Sequence, residues 1–441
     1  MLKIYRKLTS IIQIPLAWLY SRQLILDKTL SAEERRQRFG IYSLKMLKNA
    51  PYDLWIHAAS VGEVMAGAAI LRSIKRIMPN TNVLLSVFTA TGYQRATKEL
   101  NDIAEVVLAP FDTPSAVEKA FQTIKPRIYA VIETELWPNT LLAAPRHGAK
   151  TVLLNARISN RSFGRYSRLT SLFTPILRQF DCICAISETY KNRLVQMGTN
   201  PDNIHVTGNA KFEALLNKPH NDTAHTMSNR LKLPLNAPIF VAGSIRGGEE
   251  ELVMKAVSAL KQTVPNLVVI LAPRHMNRLP NLKQAAQQAN ISHINLTDLI
   301  KTEGIKNSPK NQDDGLMPSN SVILVNVMGM LFSIYSVATV AFVGGSLVPK
   351  GGQNPMEPAA WACPVLFGPH MENFEEAKEA LNKTGGAIIV QNSTELAAVA
   401  KKILLTPSYR KEMGQKALNA LKSLAQDSAT RQAEFILRYL C

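Results

Sequence analysis

Residues 340–370 read VAFVGGSLVPKGGQNPMEPAAWACPVLFGPH, and the fold follows from how that run is parsed. Residues 340–343 are a short apolar strand that breaks at once into Gly344, Gly345 and Ser346, as a buried strand does when it empties into a loop whose amides contact phosphate. A second glycine pair, Gly351 and Gly352, leads through Asn354 and Pro355 into Met356, Glu357, Pro358, Ala359 and Ala360, which read as the first turn of a helix. Amide N–H groups there would face an anion. Glu357 is placed to accept hydrogen bonds from vicinal ribose hydroxyls, so the run describes a nucleotide pocket. The plainer reading of the same residues is a glycine-rich turn between buried strands.

Outward from this run the chain alternates strand, loop and helix. Strands are expected at 54–58, 82–88, 104–108, 128–132, 151–154 and 182–186, and one ends at Val206. In the second half they fall at 239–242, 267–271, 322–325, 340–343, 364–367 and 387–390, with helical runs such as 249–262 between them. Such alternation specifies α/β architecture with mostly parallel sheets covered on both faces. The polar stretch 220–229 places a domain boundary, giving an N-terminal Rossmann-like domain at 51–229 and a C-terminal one at 230–408. Residues 302–320, rich in Gly, Pro, Asn, Asp and Lys, read as an exposed loop. Residues 409–441 read as amphipathic helix that packs back on the first domain. Two doubly wound domains facing a central cleft follow, with ligands beyond the carboxyl ends of the strands.

Residues 1–50 differ in kind. Lys3, Arg6 and Lys7 precede an apolar stretch at 8–20, which Gln13 and Pro15 interrupt and which Trp18 and Tyr20 close. A membrane span needs about 20 apolar residues, so this one is too short. No small-residue cleavage site follows, and Arg35, Arg36, Arg38, Lys45 and Lys48 come next, against a signal peptide. The segment reads as amphipathic and membrane-associating, or as a helix docked on the first domain.

The totals agree with a two-domain globular chain: 441 residues, 46% hydrophobic and 19% charged. Lys and Arg number 51 against 33 Asp and Glu, a net charge of +18, so anionic partners are expected. Nucleic acid is disfavoured, because aromatics make up 7% and do not interleave with the basic stretches as a stacking surface requires. Cys182, Cys184, Cys363 and Cys441 have no zinc spacing and are too few for a disulfide scaffold; Cys182 and Cys184 read as core residues of a strand.

Several chemistries are excluded by missing motifs. The chain has no Walker-type loop, no Gly-x-Gly-x-x-Gly, no His-Glu-x-x-His and no Asp-x-Asp pair for a nucleotide-bound metal. What remains is a set of polar residues at strand ends. Glu63 follows a glycine at the first strand-to-helix turn among Ala58, Ala59 and Val61, where its pKa could rise toward that of a working base; a helix-capping glutamate is the plainer reading. Glu133 and Glu135 end the strand 128–132, and alternation sends both to one face. Asn155, Arg157, Asn209, Lys211, Ser244, Arg246, Pro273, Arg274 and His275 leave other strands. Any one could be a surface ion pair; together they suggest a cleft lined by anion-binding groups.

HAASVGEV (57–64), ETELWPN (133–139), NARIS (155–159), GNAKF (208–212), APRH (272–275) and FVGGSLVPKGGQNPMEPAA together resemble the 3-deoxy-D-manno-octulosonic acid (Kdo) transferases of Gram-negative lipopolysaccharide synthesis. The motifs occur in the family's order, from about residue 54 to residue 374. The resemblance implies a GT-B fold and an inverting glycosyltransferase that uses CMP-Kdo as donor and a lipid A precursor, lipid IVA, as acceptor, with no metal or other cofactor. It implies Glu63 as general base, Glu133 and Lys211 as transition-state stabilisers, and CMP contacts at Pro273, Arg274, Asn354, Pro355, Met356 and Glu357. Many members carry Met-Gly-Glu where this chain has Met328, Gly329 and Met330, and Asp-Thr where it has Asn326 and Val327; Met328 to Met330 are kept as donor contacts.

The same resemblance accounts for the charge and the first fifty residues. It places the protein on the cytoplasmic face of the inner membrane, where each Lys or Arg near the anionic surface contributes about 1 kcal/mol of attraction. The competing enzymatic reading is another GT-B glycosyltransferase, or a nucleotide-sugar epimerase, acting on a UDP-sugar.

Overall fold

The computed structural model describes residues 1–12, 30–43, 47, 49–216, 223–301 and 320–440. Among the described residues, fourteen strands form two sheets. The first holds β1 (Leu54–Ala58), β2 (Val83–Val87), β3 (Glu105–Leu108), β4 (Ile128–Ile132), β5 (Lys150–Ala156), β6 (Cys182–Ala185) and β7 (Ile204–Val206) in the order β3-β2-β1-β4-β5-β6-β7. The second holds β8 (Ile239–Ile245), β9 (Val268–Pro273), β10 (Ser292–Asn295), β11 (Ser321–Leu324), β12 (Val340–Val343), β13 (Val365–Phe367) and β14 (Ala387–Ile389) in the order β10-β11-β9-β8-β12-β13-β14. Every pairing is parallel. The fold is therefore α/β, of GT-B type, with two doubly wound units.

Parallel strands covered on both faces must be apolar throughout, and β1, β2 and β4 are buried at every position. On one side of the first sheet Trp55, Phe121 and Tyr129 pack with ring centroids 4.8–5.6 Å apart. On the other, helix Val61–Ile77 lays Val64, Ile70, Leu71 and Ile74 against Ile56, Ile132 and Leu154. Cys182 and Cys184 are buried in β6, as core residues.

By packing, the chain divides into Met1–Ala214 with Ala425–Cys441, and Leu215–Leu424. The sequence-based boundary at 220–229 differs, because residues 223–230 form a helix that packs within the second unit, burying Met227 against its core. The C-terminal stretch is two helices, Pro407–Ala425 and Ser428–Leu437, since Gln426 and Asp427 both have positive φ and interrupt the run. Strand β10 has no apolar run to announce it: Ser-His-Ile-Asn lies at the sheet edge with its first two residues exposed. The expected loop at 302–320 falls almost wholly outside the described residues.

The N-terminal residues 2–12 are helical, and one face is docked. Tyr5 donates to Asp112 Oδ2 at 3.0 Å, Asn139 Nδ2 donates to Thr9 Oγ1 at 3.0 Å, and Leu2 packs on the core. Met1, Ile4, Leu8, Ile11 and Ile12 remain exposed. Among the described residues no helix is long and apolar enough to cross a membrane; residues 13–29 of the expected amphipathic segment lie outside the description. Arg38, grouped by sequence with the membrane-facing cations, is instead buried: it donates to the carbonyls of Ala109 and Phe88 and stacks on the Phe88 ring at 4.7 Å.

Candidate active site

Because all strands run parallel, the carboxyl ends of β1, β4, β5 and β7 share one edge of the first sheet. Glu63 occupies the third position of helix Val61–Ile77. Ser60, the N-cap, accepts from the Glu63 N–H at 3.4 Å and donates to Oε1 at 2.9 Å, while the Ala59 N–H donates to Oε2 at 2.5 Å. Glu63 is thus a capping carboxylate, and a perturbed one as well. Burial, then the charges of Glu135 and Glu133, push its pKa up to about 7, against the pull of those hydrogen bonds. One residue satisfies both sequence readings.

Strand alternation does not place the other two carboxylates, because β4 ends at Ile132. Glu133 has φ 63°, in the left-handed region, with its N–H donating to Leu154 O at 2.8 Å. A side chain there costs about 1–2 kcal/mol, a strain that concentrates at functional sites. Glu133 forms an ion pair with Lys211, and the Lys211 Nζ lies over the first helical turn: a Cβ added to Gly62 would stand 3.4 Å from it. Glu135 accepts from Trp137 Nε1 at 2.5 Å, and burial raises its pKa first of all. Glu63, Glu133, Glu135 and Lys211 are therefore brought together.

Asn155 and Asn209 serve as scaffolding. Asn155 is fully buried with φ 50°, and its Oδ1 accepts from Ala210 N at 2.9 Å; Asn209 Oδ1 accepts from Lys211 N at 3.1 Å. The Arg157 carbonyl accepts from Thr134 Oγ1. His57 opens the HAASVGEV motif and lies in β1 beneath Glu63. It is buried, its Nδ1 lies 3.1 Å from Ser86 Oγ, and its ring meets the Trp137 ring edge-on at 5.6 Å. Burial drops its pKa to about 3, so it packs as a neutral ring under the site.

In the second unit, the residues expected to hold the nucleotide follow β9, β11 and β12, again at carboxyl ends. Pro273 is buried as the last residue of β9, while Arg274 is exposed, with no side-chain partner among the described residues. Gly329 has φ 87°, and Met328 is exposed. Met330 packs with Leu331 against the core around Ile334 and Tyr335, an apolar role that a glutamate could not take. Asn326 exchanges hydrogen bonds with Thr297, at 3.1 and 2.7 Å. Asn354 Oδ1 accepts from Met356 N at 3.1 Å, and Glu357 is part-exposed on the short helix Met356–Ala359.

The loop after β12 corrects the sequence reading. Of Gly344, Gly345 and Ser346, whose amides were expected to contact phosphate, the first donates to the Gly243 carbonyl and the other two to the carboxylate of Glu249, which also accepts from the Leu347 and Arg246 N–H groups. Glu249 is fully buried. A protein carboxylate already fills the nest, so these amides are not open to an anion; Arg274 is the exposed cation that directly follows β9.

Among the described residues no group of three His, Cys, Asp or Glu could hold a metal ion. The profile of a family described as 3-deoxy-D-manno-octulosonic-acid transferase (kdotransferase) matches residues 33–214, the span that holds Glu63, Glu133 and Lys211. A 3-deoxy-D-manno-octulosonic acid transferase of Haemophilus influenzae is 31% identical over 376 residues, 85% of this chain and 84% of that protein. This chain belongs to the Kdo transferase family. A bifunctional glycosyltransferase/methyltransferase of Fusobacterium nucleatum is 33% identical over 343 residues; the match takes in 77% of this chain but spans about half, 51%, of that longer protein. Among solved structures, a UDP-N-acetylglucosamine 2-epimerase superposes with a TM-score of 0.63 over 88% of this chain and 96% of its own, at 16% identity, a likeness of fold alone. Membership in the Kdo transferase family thus separates this chain from the epimerase that shares its architecture.

Proposed function

We propose that this protein is an inverting, metal-independent glycosyltransferase that moves Kdo from CMP-Kdo to a lipid A precursor, lipid IVA. Family membership motivates the choice of donor and acceptor. The observation that carries the mechanism is the carboxylate of Glu63, lifted to about 7 beside the Lys211–Glu133 pair.

In the proposed reaction an acceptor hydroxyl oxygen attacks the anomeric carbon of Kdo from the face opposite CMP. Glu63 takes the hydroxyl proton as the new C–O bond forms, and the bond to the CMP phosphate oxygen breaks, its electron pair leaving with CMP. Lys211, held by Glu133, faces the sugar carboxylate and stabilises charge in the transition state. Pro273, Arg274, Met328 to Met330 and Asn354 to Glu357 hold CMP; Arg274 meets the phosphate, so no step calls for Mg²⁺. Transfer takes place on the cytoplasmic face of the inner membrane. There the exposed Met1, Ile4, Leu8, Ile11 and Ile12, with Lys3, Arg6 and Lys7 on the same helix, meet anionic lipid.

Purified protein incubated with CMP-Kdo and lipid IVA in EDTA, read by product mass, tests this reading. A product heavier by one or more Kdo units supports it. No product from folded protein, or turnover of a UDP-sugar instead, rejects it in favour of the competing GT-B reading.

A further inference from the structure

Lys211 stands in the first turn of the short helix Ala210–Leu216, beyond the end of β7. Lys211 follows β7 and the motif NARIS begins at the end of β5; in the strand order β5-β6-β7 these two ends are not neighbours, so no ladder can join them. The link comes from the far end of the chain. Gln432, in the middle of helix Ser428–Leu437, accepts the Asn155 N–H at Oε1 (2.8 Å) and donates from Nε2 to the Gly208 carbonyl (3.2 Å). Its side chain is fully buried.

A buried carboxamide is costly unless both its ends are paired, and here each end is paired by a backbone group that the sheet leaves open. Asn155 and Gly208 both have positive φ: Asn155 lies where β5 shifts register against β6, and Gly208 lies just beyond the end of β7. From Gln432 the ties run on: Asn155 Oδ1 to Ala210 N, Asn209 Oδ1 to Lys211 N, and Lys211 to Glu133. A second contact of the same helix, from the Ala429 N–H to Glu213 at 2.6 Å, reaches the short helix Ala210–Leu216 that carries Lys211. The same buried side of the helix sets Ala429 and Ala433 against the core beside Val64, one residue from Glu63. One helix thus braces both the helix that presents Glu63 and the short helix that presents Lys211.

We infer that Gln432 is a positioning residue of the transfer reaction, fixing through Asn155 and Gly208 where Lys211 stands relative to Glu133 and Glu63. The inference rests on the function proposed above. Gln432 need not touch either substrate; it acts through Lys211.

The test uses full-length Gln432→Leu, which loses both bonds at similar size, and Gln432→Glu, which keeps the bond to the Asn155 N–H and opposes the Gly208 carbonyl. Each is measured alone and in a Lys211→Ala background. Expected are a kcat reduced about 10-fold or more with both KM values little changed, since misplacing a catalytic group costs rate rather than binding. In the Lys211→Ala background the Gln432 substitutions should add almost nothing, the signature of residues that act as one unit. Amide exchange, which needs no activity, should speed up at Ala210 and Lys211 while Ile56 in β1 stays protected. A folded Gln432→Leu enzyme with wild-type kcat, effects additive with Lys211→Ala, or exchange quickened throughout the unit would each overturn the inference. If wild-type protein transfers no Kdo, the proposed function fails and this role falls with it; unchanged exchange at Ala210 would show separately that the tie itself is not made.

Discussion

At Glu63 a single carboxylate caps a helix and, in the proposed reaction, takes a proton. The Ala59 N–H and the Ser60 hydroxyl favour its charged form; burial and the neighbouring Glu135 and Glu133 disfavour it more, leaving it near 7. The rate of transfer should therefore rise with pH to a plateau with a midpoint near 7, because only the carboxylate can accept the proton. Glu135→Gln removes the larger of the two neighbouring charges and should move that midpoint down, measurable from the pH profile of kcat. Stability should run the other way. The folded pKa lies above the ordinary value of 4.5, so protonated Glu63 favours folding, and this stability is lost as pH rises from about 4.5 through 7. Glu63→Gln removes that loss and should narrow the difference in urea stability between pH 5 and pH 8 by up to about 3 kcal/mol. An unchanged difference would contradict the burial assigned to this group.

Among the elements, the strand-end loops are where substitution should matter most. Lys211 crosses over Gly62: a methyl there would stand 3.4 Å from the ammonium, in direct contact with it. Gly62→Ala should leave the fold intact and cut kcat through Lys211, read in the same assay. Glu249 is the counterpart in the second unit. Replacing it with Ala leaves four buried or half-buried amides unpaired, a loss of about 2–4 kcal/mol in chemical denaturation. These loops also mark how far the sequence could be read. Strands with apolar runs, such as β4 and β12, were legible to the residue, whereas β10 was not, because an exposed edge strand needs no apolar run. Glu63, Glu133 and Lys211 were legible as polar residues at strand ends. Glu249 was hidden by its sequence setting, a Gly-Gly-Glu-Glu-Glu run that reads as an acidic first turn; three of its partners, Gly345, Ser346 and Leu347, lie nearly a hundred residues away.

Over the whole molecule, the architecture of two parallel sheets was legible because strand and helix alternate from residue 54 onward. The order of strands and the split of the C-terminal stretch were not, since packing rather than periodicity sets both. The net charge of +18 and the apolar stripe on residues 2–12 carry the membrane reading. Replacing Ile4, Leu8 and Ile11 with Ser should weaken binding to anionic vesicles at least several-fold in flotation assays while leaving the docking contacts of Tyr5 and Thr9 in place. Binding should also fall as salt rises; equal binding of wild type and variant would remove this helix from the membrane contact. The central claim, that Glu63 is the base of Kdo transfer, is tested most directly by the rate of product formation for wild type and Glu63→Gln across pH 5 to 9. The account predicts a wild-type rate that rises through a midpoint near 7, and a variant slower by about 10²-fold or more with no such midpoint. A Glu63→Gln enzyme as fast as wild type, with the same pH profile, would contradict it.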